Sequence, residues 1–483
     1  MNHQTVEAVL LFLCALSIWA WLIKPAIPPL QSLTRGREIL HRIYRKQLRD
    51  NQVYVLRGVF GNSIVLPPSM LQWLTLQPES HLSAKAAQMD ALNIPITFLR
   101  PEIGLDPVHE PLIRRNLTAN LDSIAGDVWE EVGLALEDLW GQATDSWREV
   151  NLDDTVRRVV ARAANRVFVG DTLCRDNDYI ESSIRFVTRV SICGLLINLF
   201  PNWLKRPMGF VFKTPVQMAY SRCAKHLLPV FSDLTLTDPH LFTSWLVSNS
   251  VQYPRSSPER TPDFLSRRIM ALNFAAIHTS TLTACNLLLD IFSHPPTVSL
   301  LRDESLASSA RWGKTWKRAR FNQMSRLDSA LRESLRLWGL VPKAMSRKVM
   351  QPDGAILPDG QRLPQGTTVC ISGWGLHHDE GIFPQPFEFV HDRFMRAEEE
   401  VKEQAEGVKK SAAAETNEHF VAWGIGKHAC PGRFFAVDLI KIILAHVLVD
   451  YEVKFLGERP GNIWIEYNVL PPPSATLSIR RRV

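Results

Sequence analysis

Apolar side chains recur at every third or fourth position through most of residues 110–345, the period of helices that bury one face. The pattern breaks at Gly141, Gly170, Pro201 and Pro207, where a residue without a Cβ or without an N–H interrupts the helical ladder. Two stretches read differently. Residues 53–66 (VYVLRGVFGNSIVL) form two short predicted strands around Gly58 and Gly61, and Pro67 then opens a short helix carrying Met70, Leu71 and Trp73. Residues 347–371 mix short apolar pieces with Pro and Gly turns, the texture of small hairpins. Helix returns over 430–450 and short strands over 451–480, with no internal repeat. The expected fold class is mainly α with a smaller β part. At 483 residues the chain is too long for one simple core, so residues 53–483 are expected to form one composite domain or two tightly fused ones.

The N-terminus adds a membrane element. From Val6 to Ile23 only Glu7 and Ser17 are polar, near the short end of the roughly 17–25 residues a spanning helix needs. The start, MNHQT, lacks Lys and Arg, and no small-x-small cleavage site follows. Lys24, Arg35, Arg37, Arg42, Arg45, Lys46 and Arg49 come next and would hold the bulk of the chain on the cytoplasmic side. We therefore expect an uncleaved signal anchor over 1–24. A proline neck (Pro25, Pro28, Pro29) and basic linker over 25–52 would follow. Residues 397–418 (AEEEVKEQAEGVKKSAAAETNE) are charged and of low complexity, the mark of a solvated surface insertion.

Composition narrows the function. A hydrophobic fraction of 46% with 22% charged residues excludes wholesale disorder, and a single long apolar run excludes a multi-span membrane protein. The +6 net charge is spread too thinly, without basic clusters alternating with aromatics, to suggest nucleic acid. The seven cysteines (Cys14, Cys174, Cys193, Cys223, Cys285, Cys370 and Cys430) are odd in number, widely spaced and lack C-x-x-C. Reduced thiols fit better than a disulfide framework or a structural zinc site.

Three segments carry candidate chemistry. Thr261 can cap a helix with Pro262 at its first position, and nothing breaks it before His294-Pro295-Pro296; about 31 residues would span about 46 Å. Its middle, Phe274-Ala275-Ala276-Ile277-His278-Thr279-Ser280, combines small residues with hydrogen-bonding side chains. That suits a flat group lying close to the backbone, or a tight helix–helix contact with a core histidine. Glu333 and Arg336 can pair at i,i+3 beside an apolar stripe of Leu327, Ala330, Leu331 and Leu335, an arrangement equally found in surface ion pairs. The third segment is the stretch from Trp423 to Ala436. Gly424 and Gly426 permit a tight loop, and Cys430-Pro431-Gly432 places a thiol where a helix begins, a position that favours the thiolate. Such a sulfur could be a single-thiolate metal ligand or a nucleophile with His428 as base.

This loop resembles the heme-binding signature of the cytochrome P450 family, matched in order by Trp423, Gly424, Gly426, His428, Cys430, Pro431, Gly432, Arg433 and Ala436. The resemblance implies the cytochrome P450 fold, with the long central helix over heme b, Cys430 as axial thiolate of the iron and His428 on a heme propionate. Glu333-Ser334-Leu335-Arg336 resembles the family's E-x-x-R. Phe389-Val390-His391-Asp392-Arg393-Phe394 resembles the aromatic-Pro-x-Arg-aromatic segment with its proline missing, so Arg393 would complete a network with Glu333 and Arg336. Arg347 stands where the family carries a propionate-binding arginine, and the His109…Arg114-Arg115 stretch resembles the helix that supplies another, taken as Arg115. One departure stands out. The family's usual acid before the central-helix alcohol is replaced by His278, while the hydroxyl at Thr279 is kept. Thr279 with His278 would then relay protons, an imidazole being able to do so near neutral pH.

The implied activity is monooxygenation of an apolar small molecule. The A-A-I-H-T-S form resembles filamentous-fungal members that oxidise terpenoids and related secondary metabolites. Electrons would come from a separate NADPH–cytochrome P450 reductase, with cytochrome b5 as an optional second donor, because the chain has no flavin or nicotinamide motif of its own. Anchor and neck imply a single pass in the endoplasmic reticulum membrane with the catalytic domain cytoplasmic. Rival expectations are a heme-thiolate isomerase or dehydratase that does not use dioxygen, a non-catalytic heme binder, and an acyl-transfer enzyme built on Cys430 and His428.

Overall fold

The structure is a computed structural model that describes residues 31–232, 238–312, 318–340, 342–395 and 413–483. The expected anchor over 1–24 and most of the expected insertion over 397–418 lie outside the described residues. Helix α1 (Gln31–Ile43) opens the described chain, followed by α2 (Leu71–Leu76), α3 (Leu121–Trp140), α4 (Leu152–Phe168), α5 (Asn177–Asn198) and α6 (Asn202–Ser232). Then come α7 (Pro262–Phe292), α8 (Pro295–Trp312), α9 (Ser325–Trp338), α10 (Gly373–His377) and α11 (Arg433–Asp450).

Helix α7 is the axis of the body. Thr261 caps it, its hydroxyl accepting from the Phe264 N–H at 3.3 Å with Pro262 in the first turn, and α4, α5, α6, α8, α9 and α11 pack around it. It is apolar on most sides because it is buried on most sides. Among the described residues it is also the one helix long and apolar enough to cross a bilayer, and packing explains that composition. Pro207 does not break the chain as the sequence predicts. Together with Pro215 and Pro229 it lies inside α6, which stays helical because it is sandwiched against α5 and α7; tertiary packing there outweighs the lost backbone bonds.

A second hydrophobic core lies around the β part. The main sheet has the order β1 (Tyr54–Leu56), β2 (Ser63–Leu66), β8 (Thr368–Ser372), β5 (Lys343–Val349), β3 (Leu82–Ser83). Its β2–β8 pair is parallel, and a register shift between Ala344 and Arg347 marks a bulge. Hairpins β6–β7 (Ala355–Ile356, Arg362–Leu363) and β10–β11 (Ile463–Ile465, Asn468–Leu470) stand beside it, and β4 (Arg148–Asn151), β12 (Thr476–Arg481) and β9 (Tyr451–Val453) form a third sheet.

Two expected boundaries change. Residues from Gln31 onward are not a linker: Leu40, Ile43, Tyr44 and Leu48 are buried in the core of the β part. Gly36 lets α1 approach the β10–β11 turn so closely that a Cβ there would meet the Glu466 carbonyl oxygen at 1.5 Å. The basic residues that read as a linker are the outer face of an amphipathic helix. The surface insertion likewise stops short of 418, because Ala413 and Ala414 are core residues, 0% and 4% exposed.

Candidate functional site

The cysteine loop is held on three sides. Gly424 and Gly426 adopt φ of 71° and 68°, the left-handed region that side chains disfavour, and this turns the chain so that the Cys430 N–H donates to the Trp423 carbonyl at 2.8 Å. Trp423 Nε1 donates to Ala413 O at 2.8 Å. Arg433 binds Ala414 O at 3.0 Å and Cys430 O at 2.9 Å. From across the loop, Arg114 donates to Lys427 O at 3.0 Å and to Ala429 O at 3.2 Å. Cys430 alone among the described cysteines keeps accessible surface; the others are buried.

Its sulfur receives the N–H groups of Gly432 and Arg433 at the start of α11, and these favour the thiolate. Burial is the larger effect, and it raises the thiol above its ordinary pKa. The loop therefore does not by itself poise a low-pKa thiolate, as its place at a helix start suggests. The charges of Arg433 and Arg114 act with those N–H groups against burial.

The middle of α7 breaks the burial of the rest of that helix. Ala275 and Thr279, one turn apart on one face, are exposed, while Leu265–Asn273 and Ser280–Phe292, apart from a half-buried Leu282, are buried. The Thr279 hydroxyl donates back to Ala275 O at 2.7 Å, leaving its oxygen lone pairs free. His278 points elsewhere, because consecutive helical residues diverge by about 100°. It shares a face with Cys285, whose Sγ lies 3.9 Å from Leu152 O at the start of α4. Burial, then the charge of Arg157 on α4, pulls the imidazole down to about 4, and the Asp153 carboxylate and then the Val187 carbonyl oppose this. Its Nε2 is buried without a partner. The structure thus separates His278 from Thr279 rather than bringing them together.

Glu333, Arg336 and Arg393 do come together, away from solvent. Glu333 and Arg336 are 0% exposed and joined by two bonds of 2.8 Å, which excludes the surface-pair reading. Arg393 adds a third bond to Glu333 at 2.9 Å and reaches the Pro384 carbonyl at 2.6 Å. Arg336 also donates to the carbonyls of His377 at 2.6 Å and Pro386 at 2.7 Å. The His377 imidazole in turn accepts the Val421 N–H at 3.0 Å, and Val421 O accepts from Gly424 at 2.9 Å. One buried chain of bonds therefore runs from α9 to the cysteine loop.

Residues 111–478 match the family described as Cytochrome P450. The chain belongs to the cytochrome P450 family. It is 31% identical to Cytochrome P450 monooxygenase 71 of Postia placenta over 94% of this chain and 89% of that protein. It is 30% identical to Cytochrome P450 monooxygenase astC of Aspergillus terreus over 91% and 86%, and 29% identical to Cytochrome P450 monooxygenase polB of Polytolypa hystricis over 88% and 84%. At that similarity, over nearly the whole length, the chain is a cytochrome P450 monooxygenase with a heme-thiolate cofactor. Like its family, it depends on a redox partner and acts on small molecules.

The residues present fit a P450 heme. A flat macrocycle needs free space beside the sulfur and beside the central helix. Ala275 and Thr279 leave accessible surface on α7, and a Cβ on Gly432 would meet nothing nearer than Ile113 Cγ2 at 4.0 Å. Its carboxylates need cations, and a cluster is present. Arg347 is 4% exposed with Nη1 on Ser346 O at 2.9 Å, and burial lowers its pKa. His428 lies beside it, lowered by burial first and then by the charge of Arg347.

Sequence reasoning missed two residues beside these cations. Glu79 sits 3.2 Å from His428 Nε2, close enough to pair but not aligned as a hydrogen bond, and its carboxylate accepts from Ser83 Oγ at 2.6 Å and Ala84 N at 2.9 Å. Only its place before the Ser83 helix cap could have drawn attention to it. Arg114, not Arg115, is the residue that turns toward the loop. Both arginines are exposed, but among the described residues it is Arg114 that donates to the loop carbonyls, because adjacent residues on this helical stretch face different ways.

Proposed function

We propose that this P450 inserts one oxygen atom into a C–H bond of an apolar small molecule, of the terpenoid or related secondary-metabolite class, with electrons from a separate NADPH–cytochrome P450 reductase. The observation that carries the site assignment is that Cys430 alone among the described cysteines is accessible, in a loop whose backbone donors aim at the sulfur. In this reading Cys430 holds the iron, and Arg347, His428 and Arg114 hold the propionates. Gly424 and Gly432 keep the loop and its approach free of side chains. When bound, a thiolate-ligated heme supplies dioxygen activation, the thiolate pushing electron density toward O–O cleavage.

The chain's own residues do the rest. Thr279 presents an alcohol on the accessible face of α7, where it can accept and pass on a proton at Oγ1. His278, neutral and facing α4, acts from the far side of the helix, so any proton it handles reaches Thr279 through intervening water. Glu333, Arg336 and Arg393 position the loop. Exposed Arg115 and Lys427 beside that loop offer a basic face to an acidic reductase or cytochrome b5.

The apolar run Val6–Ile23 and the cations after it support a single-pass anchor in the endoplasmic reticulum membrane with the domain on the cytoplasmic side. Co-expression with an NADPH–P450 reductase in a host fed candidate terpenoid skeletons, read by mass spectrometry, tests the substrate reading. A product heavier by one oxygen supports it. A folded, heme-loaded enzyme that turns over none of these skeletons but oxidises another class would remove it.

A further inference from the structure

The loop that leads into α7, residues 251–261, reads VQYPRSSPERT and takes no part in the site described above. The chain has three Ser/Thr-Pro steps, at Thr214, Ser257 and Thr261, and the structure sets one of them apart. Thr214 lies inside α6, where the backbone is helical. The Thr261 hydroxyl is engaged at the start of α7, accepting from the Phe264 N–H and donating to the Pro258 carbonyl at 2.7 Å. Ser257 stands in extended backbone, φ −70° and ψ 137°, as a residue before proline prefers. Its hydroxyl receives a long bond from the Glu259 N–H at 3.3 Å and donates to nothing among the described residues. Arg255 and Ser256 before it and Pro258 after it are exposed. The single tight turn that follows, Pro258–Arg260, buries none of its residues.

The charges around Ser257 are unbalanced. The two carboxylates of this stretch are taken, Glu259 by Arg268 at 2.9 Å and Asp263 by Arg267 at 2.9 Å. That leaves Arg255 and Arg260, two residues before and three after Ser257, without a carboxylate partner among the described residues. A hydroxyl in extended backbone, followed by a residue without an N–H and, at the third position, by a cation, is the pattern a proline-directed protein kinase selects by shape and charge. Thr214 and Thr261 carry Gln217 and Phe264 at that third position instead. We propose that Ser257 is a phosphorylation site for such a kinase. Its Oγ attacks the γ-phosphorus of Mg-ATP held by the kinase, forming an Oγ–P bond. The bond to the β–γ bridging oxygen breaks, ADP leaves with that electron pair, and the hydroxyl proton passes to the kinase's catalytic carboxylate. The phosphate places about −1.5 to −2 of charge between Arg255 and Arg260, whose guanidinium groups suit its oxygens. This modification goes beyond the monooxygenase reading and stands whatever the substrate.

The test incubates the full heme-loaded chain with Mg-ATP and a purified proline-directed kinase of the cyclin-dependent type. Mass spectrometry locates the phosphate, and heme absorbance checks folding. The expected result is phosphate on Ser257 in most chains, none at that loop in Ser257→Ala, and a several-fold slower reaction in Arg260→Ala. A synthetic peptide of residues 251–263 is run beside it. Phosphate on Thr214 or Thr261 as often as on Ser257, Arg260→Ala modified at the parental rate, or a peptide that is modified while the folded chain is not, would overturn the proposal. Phosphorus NMR of the modified chain then reads the pairing. The second ionisation of the phosphoserine is expected below its ordinary pKa of about 6 and to return toward it in Arg255→Ala. The same titration in both proteins would show that the two cations do not receive the phosphate.

Discussion

Replacing Glu333 by alanine tests how the loop is held. Glu333 is the only counter-charge in direct contact with Arg336 among the described residues, both are fully buried, and its carboxylate accepts bonds at 2.8, 2.8 and 2.9 Å from two guanidinium groups and at 3.2 Å from the Val390 N–H. Glu333→Ala leaves the Arg336 cation buried and unbalanced, at a cost of about 3–5 kcal/mol, or roughly two to four powers of ten in the folding equilibrium. Arg393→Ala leaves the Glu333–Arg336 pair whole and removes a group whose side chain is 12% exposed; the loss is that of charged hydrogen bonds, about 1.5–3 kcal/mol. Glu38→Ala is the control, because the Arg35–Glu38 pair has side chains 56% and 59% exposed and contributes less than about 1 kcal/mol. Urea unfolding followed by far-ultraviolet circular dichroism and by heme absorbance ranks the three. The expected order is Glu333→Ala, then Arg393→Ala, then Glu38→Ala, with heme lost first in Glu333→Ala. A Glu333→Ala protein within 1 kcal/mol of the Glu38→Ala control would refute the reasoning.

Three further outcomes follow from the same geometry. Thr279→Val removes the alcohol on the accessible face of α7, so product formed per NADPH falls by about tenfold or more while peroxide release rises; unchanged coupling would take Thr279 out of proton handling. Arg114→Ala weakens heme retention on dilution because Lys427 O and Ala429 O lose their donor, whereas Arg115→Ala, equally exposed but making no bond to the loop among the described residues, stays within about 0.5 kcal/mol of the parent; equal effects would contradict the placement. Burial lowers His109 to about 3, His278 to about 4 and His377 to about 3, all below the unfolded value of about 6.5. The unfolded chain therefore binds more protons below that value, and stability present above pH 6.5 is lost as the pH falls toward 4. Each histidine costs roughly 1 kcal/mol between pH 7 and 5.5, and a flat stability profile over that range would show that these rings are not held neutral.

What the sequence made legible was local. Gly424, Gly426 and the Cys-Pro-Gly turn declare themselves because backbone conformation and helix starts are written in neighbouring residues. Thr261-Pro262 marks the start of α7 for the same reason. What stayed hidden was set by distant contacts. Pro207 reads as a break until α5 and α7 are seen to enclose its helix. The cations of α1 read as a linker until its apolar face is found inside the core of the β part. Glu79 lies more than three hundred residues from His428 in sequence, and nothing in either segment announces their meeting. Choosing between Arg114 and Arg115, or finding that His278 and Thr279 diverge, requires knowing which way each turn of helix faces. The Glu333–Arg336 pair shows the same limit: its spacing is visible, but its burial, on which its energetic weight depends, is not.

The account turns on the sulfur of Cys430 as the ligand of the heme iron. The most direct measurement is the absorption spectrum of the reduced, carbon-monoxide-bound protein, taken for the parent and for Cys430→Ser, with circular dichroism to show that both are folded. The parent is predicted to give the red-shifted band of a thiolate-ligated heme, and Cys430→Ser to lose it while keeping its helices. A parent without that band, or a folded Cys430→Ser protein that retains it, would contradict the assignment of the site.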